Sequence, residues 1–470
     1  MNEIKLEKIL DSKFNIFKEV NDKIWEYAEP RFQETCSSNL QKEILRKEGF
    51  TITEELGGIK TAFSASFGSG YPVIGILGEF DALPNLSQQA DVTEKEPTDN
   101  GGWGHGCGHN TLGTACMEAC VALKDYLEEE KLEATIIYFG CPGEEGGAGK
   151  AFMVREGCFQ TCDICLAWHP YSINFGSTST LANARVIYDF HGISSHAATS
   201  PHLGRSALDA VELMNVGSNY LREHILPEAR IHYAITNSGG DAPNVVQADA
   251  QVIYAIRASG NNQVIELLER VNAVAKGAAM MTGTTVDIHV ASAYADVLQN
   301  KTLDTLVYEK MKKVLPVEYS SEELEYAAKF HKVGDIEDIK TYESMAVKIL
   351  GDSAKNMFEG PVVKEVLPPS NLKMGSTDVG DVSWNIPTSW FGVACYSLGT
   401  PAHSWQAVAQ GKSPLAHKGM RAAATILSMT ALELIENPTL VEKAKKDLEI
   451  AKEGGSYKSI IPSEIKAGSF

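Results

Sequence analysis

Pro72-Val73-Ile74-Gly75-Ile76-Leu77-Gly78-Glu79-Phe80-Asp81-Ala82-Leu83-Pro84 opens on a short continuous apolar run and closes on two carboxylates and a turn. A continuous run, as opposed to an alternating one, marks a strand covered on both faces. The pattern recurs at Ala134-Thr135-Ile136-Ile137-Tyr138-Phe139, at Ile164-Cys165-Leu166-Ala167-Trp168 and at Ser389-Trp390-Phe391-Gly392-Val393-Ala394-Cys395-Tyr396. Residues 60–68 alternate instead, as a half-exposed strand does. Helical patterns separate these runs: 5–30, 35–48, Leu112 to Leu127, 149–156, 300–352 and 412–437. The expected fold class is α/β, a central mixed sheet flanked by helices.

From about 180 to 297 the texture changes. Strand patterns at Leu181–Phe190, Arg230–Ser238, Val245–Ala258 and Thr285–Ser292 alternate with helices at Ser206–His224 and Gln263–Met281. That β-α-β-β-α-β order suits an inserted two-layer α+β domain of ferredoxin-like type. At 470 residues the chain exceeds one ordinary core. The expected organisation is a main domain in two segments, 1–180 and 298–470, interrupted by a domain over 181–297.

Lys and Arg number 42 against 61 Asp and Glu, a net charge of −19, which argues against nucleic acid or an anionic membrane as partner. An anionic small molecule is still acceptable where a few local Arg or His residues receive it. The nine cysteines are scattered and odd in number, as expected of reduced thiols in a cytoplasmic protein. Met1-Asn2-Glu3-Ile4-Lys5-Leu6-Glu7 is acidic and amphipathic, unlike a signal peptide. No apolar run reaches the roughly 20 residues of a membrane span.

Metal-competent side chains lie just past the apolar runs. Asp81 follows the first run, and Gly104-His105-Gly106-Cys107-Gly108-His109-Asn110 comes in the loop beyond it. Cys141-Pro142-Gly143-Glu144-Glu145-Gly146-Gly147 follows the second, His169-Pro170 the third, and Gly399-Thr400-Pro401-Ala402-His403 the last. In an open α/β sheet the C-terminal strand edge is where ligands bind. An isolated Cys-x-His is more often packing than a ligand. Four elements that each end in donors are hard to attribute to packing. This supply suits two metal ions that activate one water, with one carboxylate left as general base. The adjacent Glu144 and Glu145 fit that division, and spacing leaves open which is which. Thiolate and imidazole favour zinc without excluding other divalent ions. Cys116, Cys120 and the Cys162-x-x-Cys165 pair read as core.

The stretches Gly78–Pro84, Gly104–Asn110, Pro142–Gly147 and Ala402–Trp405 together resemble the aminoacylase/carboxypeptidase G superfamily of dinuclear metallohydrolases. Within it they resemble the amidohydrolase branch with a Cys-x-His ligand motif. The resemblance implies two divalent ions, manganese or zinc, on Cys107, His109, Glu145, His169 and His403. It implies Glu144 as base and Asp81 as a carboxylate that orients a ligand. The inserted domain would be a lid that mediates homodimerisation, with His196 reaching the partner's site to polarise the scissile carbonyl. Asn244 and Arg257 match lid positions linked to the substrate's carboxylate. The implied reaction is amide hydrolysis of an N-acyl or N-aroyl amino acid, foremost p-aminobenzoyl-glutamate or a similar folate catabolite. A dipeptidase of the same mechanism, or a metal-binding subunit that needs a paralogous partner, are the alternatives. Two positions depart from the pattern. Glu79 stands where many members carry His, so it is not expected to be a ligand, and Asn110 stands where many carry Asp.

Overall fold

The computed structural model describes residues 2–354 and 356–469. They form two compact units, one of Met1–Ser179, Leu298–Leu372 and Val382–Ser456, the other of Thr180–Val297, Lys373–Asp381 and Tyr457–Phe470.

The first unit is built on a mixed sheet, eight-stranded among the described residues. Its strands are β1 (Thr51–Glu54), β2 (Phe63–Ser69), β3 (Val73–Glu79), β4 (Ala134–Cys141), β5 (Ile164–Tyr171), β6 (Asn174–Phe175), β11 (Val366–Leu367) and β12 (Thr388–Ala394). The spatial order is β1-β2-β4-β3-β5-β12-β6-β11. The central four, β4, β3, β5 and β12, run parallel, and these are the four apolar runs of the sequence. Every residue of β12 is buried, as a strand covered on both faces requires. β2 pairs antiparallel with β4, and its first four residues alternate between buried and half-buried, in keeping with its alternating sequence.

Helix α2 (His109–Glu130) crosses back over the sheet between α1 (Glu3–Tyr27) and α5 (Pro414–Glu436). Every residue from His109 to Leu123 is buried, so the helix is covered all round instead of along one stripe. Cys116 and Cys120 lie in that core, as do Cys162 and Cys165 elsewhere in the unit. Glu118 is the one acidic residue of that stretch. It is fully buried, neither carboxylate oxygen has a hydrogen-bond partner, and Arg421 Nε stands 3.7 Å away.

The second unit has the order β7 (Ala182–His191), α3 (Ala207–Leu221), β8 (Arg230–Asn237), β9 (Asp249–Ala258), α4 (Asn261–Thr282) and β10 (Thr285–Tyr294). The strands assemble antiparallel as β10-β7-β9-β8, with Val252, Tyr254 and Ile256 of β9 buried on the side of the two helices. This is the β-α-β-β-α-β unit expected from the pattern. One detail differs. Val245 and Val246 read as the start of a strand, yet β9 begins at Asp249. They instead pair locally with the 193–196 segment, Val246 N donating to Ser195 O at 3.0 Å. β-branched residues suit extended backbone, and here a loop pairing uses it.

Burial raises the Glu118 carboxyl to about 8, against a smaller opposing effect of Arg421. A carboxyl whose pKa is raised on folding costs stability progressively as pH climbs from its unfolded value toward the folded one. Glu118→Gln removes that cost. The melting temperature of the variant is expected to fall less steeply between pH 5 and pH 9 than that of the parent, as followed by circular dichroism.

Candidate metal centre

Gly108 makes the turn that starts α2. Its φ is +73°, and a Cβ there would lie 2.0 Å from the Tyr396 hydroxyl and 2.7 Å from Pro170. Only glycine fits both the backbone and the space. The turn sets Cys107 and His109 on either side of one bend, at the C-terminal edge of the parallel strands.

Asp81, just past β3, ties two pieces together. Its Oδ1 lies 3.0 Å from His109 Nδ1, and its Oδ2 accepts from Glu145 N at 2.9 Å. With Nδ1–H donating to Asp81, His109 presents Nε2 to the centre. His169, near the end of β5, is arranged alike: its Nδ1 faces Pro170 O at 2.9 Å and its Nε2 lies 3.4 Å from Cys107 Sγ. His403 adopts a left-handed backbone, φ +57°, and its N donates to Gly106 O at 2.9 Å. Non-glycine residues in that region carry strain, which clusters at functional sites. His403 Nε2 then stands 3.3 Å from Glu145 Oε1.

The Glu144-Glu145 turn is braced from a distant part of the chain. Glu34 Oε1 accepts from Gly143 N at 2.9 Å, Arg31 Nη1 donates to Glu145 O at 2.8 Å, and the Phe32 ring fills the space where a Cβ on Gly143 would sit. Burial, and then the charge of Asp81, pushes the Glu34 carboxyl up to about 8.

Three sets of donor atoms each lie within 4.8 Å of one another: Cys107, His109 and His169; Cys107, Glu145 and His403; and Glu79, His109 and Glu144. Cys107 belongs to two of them. His109 Nε2, Glu145 Oε1 and Glu79 Oε2 are buried without any hydrogen-bond partner. Buried acceptors that converge with nothing to bond are what a cation would satisfy, and the mixture of thiolate, imidazole and carboxylate suits a divalent metal. The residues present fit such ions.

Electrostatics point the same way. Burial opposes ionisation of Cys107, but His169 and His109 outweigh it and hold the thiol well below its ordinary range. Burial likewise opposes a charge on His109, and Cys107 and Asp81 overcome it. The neighbouring Cys107 and then Glu145 lift His403 to about 11. Burial and the Cys107 charge raise Glu145 to about 7.

Other candidates fall elsewhere. His105 is buried, faces Ile24 O at 3.0 Å through Nε2, and is pushed down to about 4 by burial, so it stays a neutral structural residue. Asn110 donates to Asn21 Oδ1 and Gly411 O, a packing role. In the second unit His196 is exposed and its Nδ1 accepts from Ala198 N and Thr199 N, each at 3.2 Å. Asn244 is beside it, its carbonyl accepting from Ala197 N at 2.9 Å. Arg257 is not. It lies at the far end of β9, opposite Asn183, whereas Asp249 at the near end faces His191. Eight residues of strand separate the two ends, about 27 Å.

Sequence reasoning missed Arg31, Phe32 and Glu34, which carry no metal motif and precede the turn they brace by more than a hundred positions. It also missed Lys150, a fully buried lysine beside Glu79. The signal for Lys150 was its place in the apolar stretch Ala148-Gly149-Lys150-Ala151-Phe152-Met153, where a surface residue would not be expected.

Residues 75–409 match the profile of Peptidase family M20/M25/M40. The chain belongs to that family. It is a metal-dependent amidohydrolase. Among its relatives, a subunit of the p-aminobenzoyl-glutamate hydrolase of Escherichia coli (strain K12) is 43% identical over 457 residues, 96% of this chain and 95% of the relative. The fold also matches the crystal structure of an aminobenzoyl-glutamate utilization protein from Klebsiella pneumoniae, at TM-score 0.63 and 15% identity, over 91% of this chain and 98% of that one. A dinuclear metal binding peptidase of family M20 from Bacillus subtilis matches at TM-score 0.53 and 16% identity, over 91% and 99%.

A divalent ion at these donors would meet protons that the metal-free chain holds. Because His109 and His403 are both raised, an ion held there would displace protons and bind more weakly as pH falls. Titration calorimetry in buffers of different ionisation enthalpy is expected to show net proton release at pH 7. Binding heats independent of the buffer would contradict the assignment.

Proposed function

We propose that the chain hydrolyses the amide bond of p-aminobenzoyl-glutamate or a closely similar N-aroyl amino acid, in the cytoplasm, with two divalent ions of manganese or zinc. The observation that carries this reading is the sharing of Cys107 between two three-donor sets that converge on one sheet edge. The identity to the Escherichia coli hydrolase subunit supports the substrate class.

On this reading Cys107, His109 and His169 hold one ion, and Cys107, Glu145 and His403 the other. When bound, such ions polarise a carbonyl and lower the pKa of a water. Glu144 accepts the proton of the attacking water and returns it to the leaving amine nitrogen. Its place beside His109 and Glu79, outside both Cys107 sets, suits that task. Asp81 keeps His109 in the required tautomer and fixes the backbone before Glu145.

His196 accepts two backbone N–H groups on Nδ1, so its neutral tautomer carries the proton on Nε2. That outward donor suits the oxygen of a scissile carbonyl as it gains charge. Asn244 and Arg257 would receive the substrate's carboxylate. His196 follows β7 at the His191 end of the sheet, and Arg257 lies about 27 Å from that end along β9, farther than a single-amide substrate reaches. A substrate that touches both takes them from two copies, which supports a homodimer formed through the lid. The edge strand β8, with Tyr233 and Ile235 exposed, is available for such pairing. A second reading, activity only with a paralogous partner, is favoured by the relative's description as a subunit.

Glu144→Gln is expected to keep both metals by elemental analysis and to lose about a thousandfold in glutamate release. Full activity in that variant would contradict the mechanism. If the parent chain loads metal yet releases glutamate only once a paralogous chain is added, the second reading stands.

A further inference from the structure

Glu79 was not expected among the ligands, yet its geometry singles it out. Its Oε1 lies 2.5 Å from Lys150 Nζ, and both side chains are buried. A buried ion pair with a purely structural role would have its remaining polar atoms satisfied as well. Here Oε2 has no hydrogen-bond partner and stands 3.3 Å from His109 Nε2, which has none either. Since His109 Nδ1 is committed to Asp81, the neutral imidazole turns a lone pair toward the lone pairs of Oε2. Two acceptors face each other at that distance only if a positive charge joins them. A metal ion held between them supplies that charge.

We propose that Glu79 is itself a metal ligand, through Oε2, at the ion held by His109, and that Lys150 fixes Oε1 so that one oxygen alone is presented. The proposal rests on the dinuclear reading above. It adds a carboxylate to Cys107, His109 and His169, and leaves proton transfer to Glu144, the other carboxylate of that donor set. Glu79 is charged and anchored by a lysine that cannot swing away. As an oxygen donor it would favour a harder ion at this site than an imidazole would.

The test is cobalt(II) loading of the purified full chain, with affinities measured by competition against a chromophoric chelator and coordination read from the visible spectrum. The parent is expected to bind two ions. Glu79→Gln is expected to weaken one of them at least tenfold, leave the other unchanged, and intensify the visible bands as one ion loses a ligand. A folded Glu79→Gln chain that binds both ions with parental affinity and spectrum overturns the proposal. Should that variant fail to fold, Glu79→Asp decides. It keeps the charge opposite Lys150 but draws the oxygen back by one methylene, so the same loss is expected and unchanged binding overturns the proposal. A parent chain that does not bind two ions would refute the dinuclear reading itself, a distinct outcome.

Discussion

A thiolate, three imidazoles and several carboxylates occupy one corner at the end of a parallel sheet, all but His403 largely out of water. Buried charge of this density is unfavourable unless paired. Protons shared between Cys107 and the histidines partly meet the need, which is why the thiol is held low while His109 and His403 are held high. The arrangement is stable only around positive charge, and much of the first unit's detail follows from keeping the donors together. Gly108 bends the chain where no side chain fits, Asp81 bonds both His109 and the turn of Glu145, and His403 accepts a strained backbone to close the set.

The scaffold was legible because both-faced burial leaves a direct trace in composition. β3, β4, β5 and β12 read as continuous apolar runs, and the donors that follow them gather at one edge because parallel strands end on the same side. The β-α-β-β-α-β insert was legible from its alternation of patterns. Val245 and Val246 were misread because propensity describes local backbone and not the partner it finds.

Less of the centre was legible. Cys107, His109, Glu145, His169 and His403 announce their chemistry by residue type. Arg31, Phe32 and Glu34 do not: they act through a backbone amide, a carbonyl and a ring face, contacts that any chain segment could make. Glu79 was set aside because it departs from the expected pattern at its position, and residue type gave no hint of the oxygen it leaves unbonded beside His109. Fold and motif can thus agree with a family while the detail of a site is the chain's own.

In the second unit the two sequence-selected regions separate. His196 and Asn244 share a loop pairing, while Arg257 stands at the opposite end of the sheet. The central claim, however, concerns Cys107, and crystals of the chain soaked in manganese test it most directly through anomalous scattering. The account predicts two peaks about 3.5–4 Å apart, both within bonding distance of Cys107 Sγ. A single peak, or two of which one lies away from the thiolate, would contradict it.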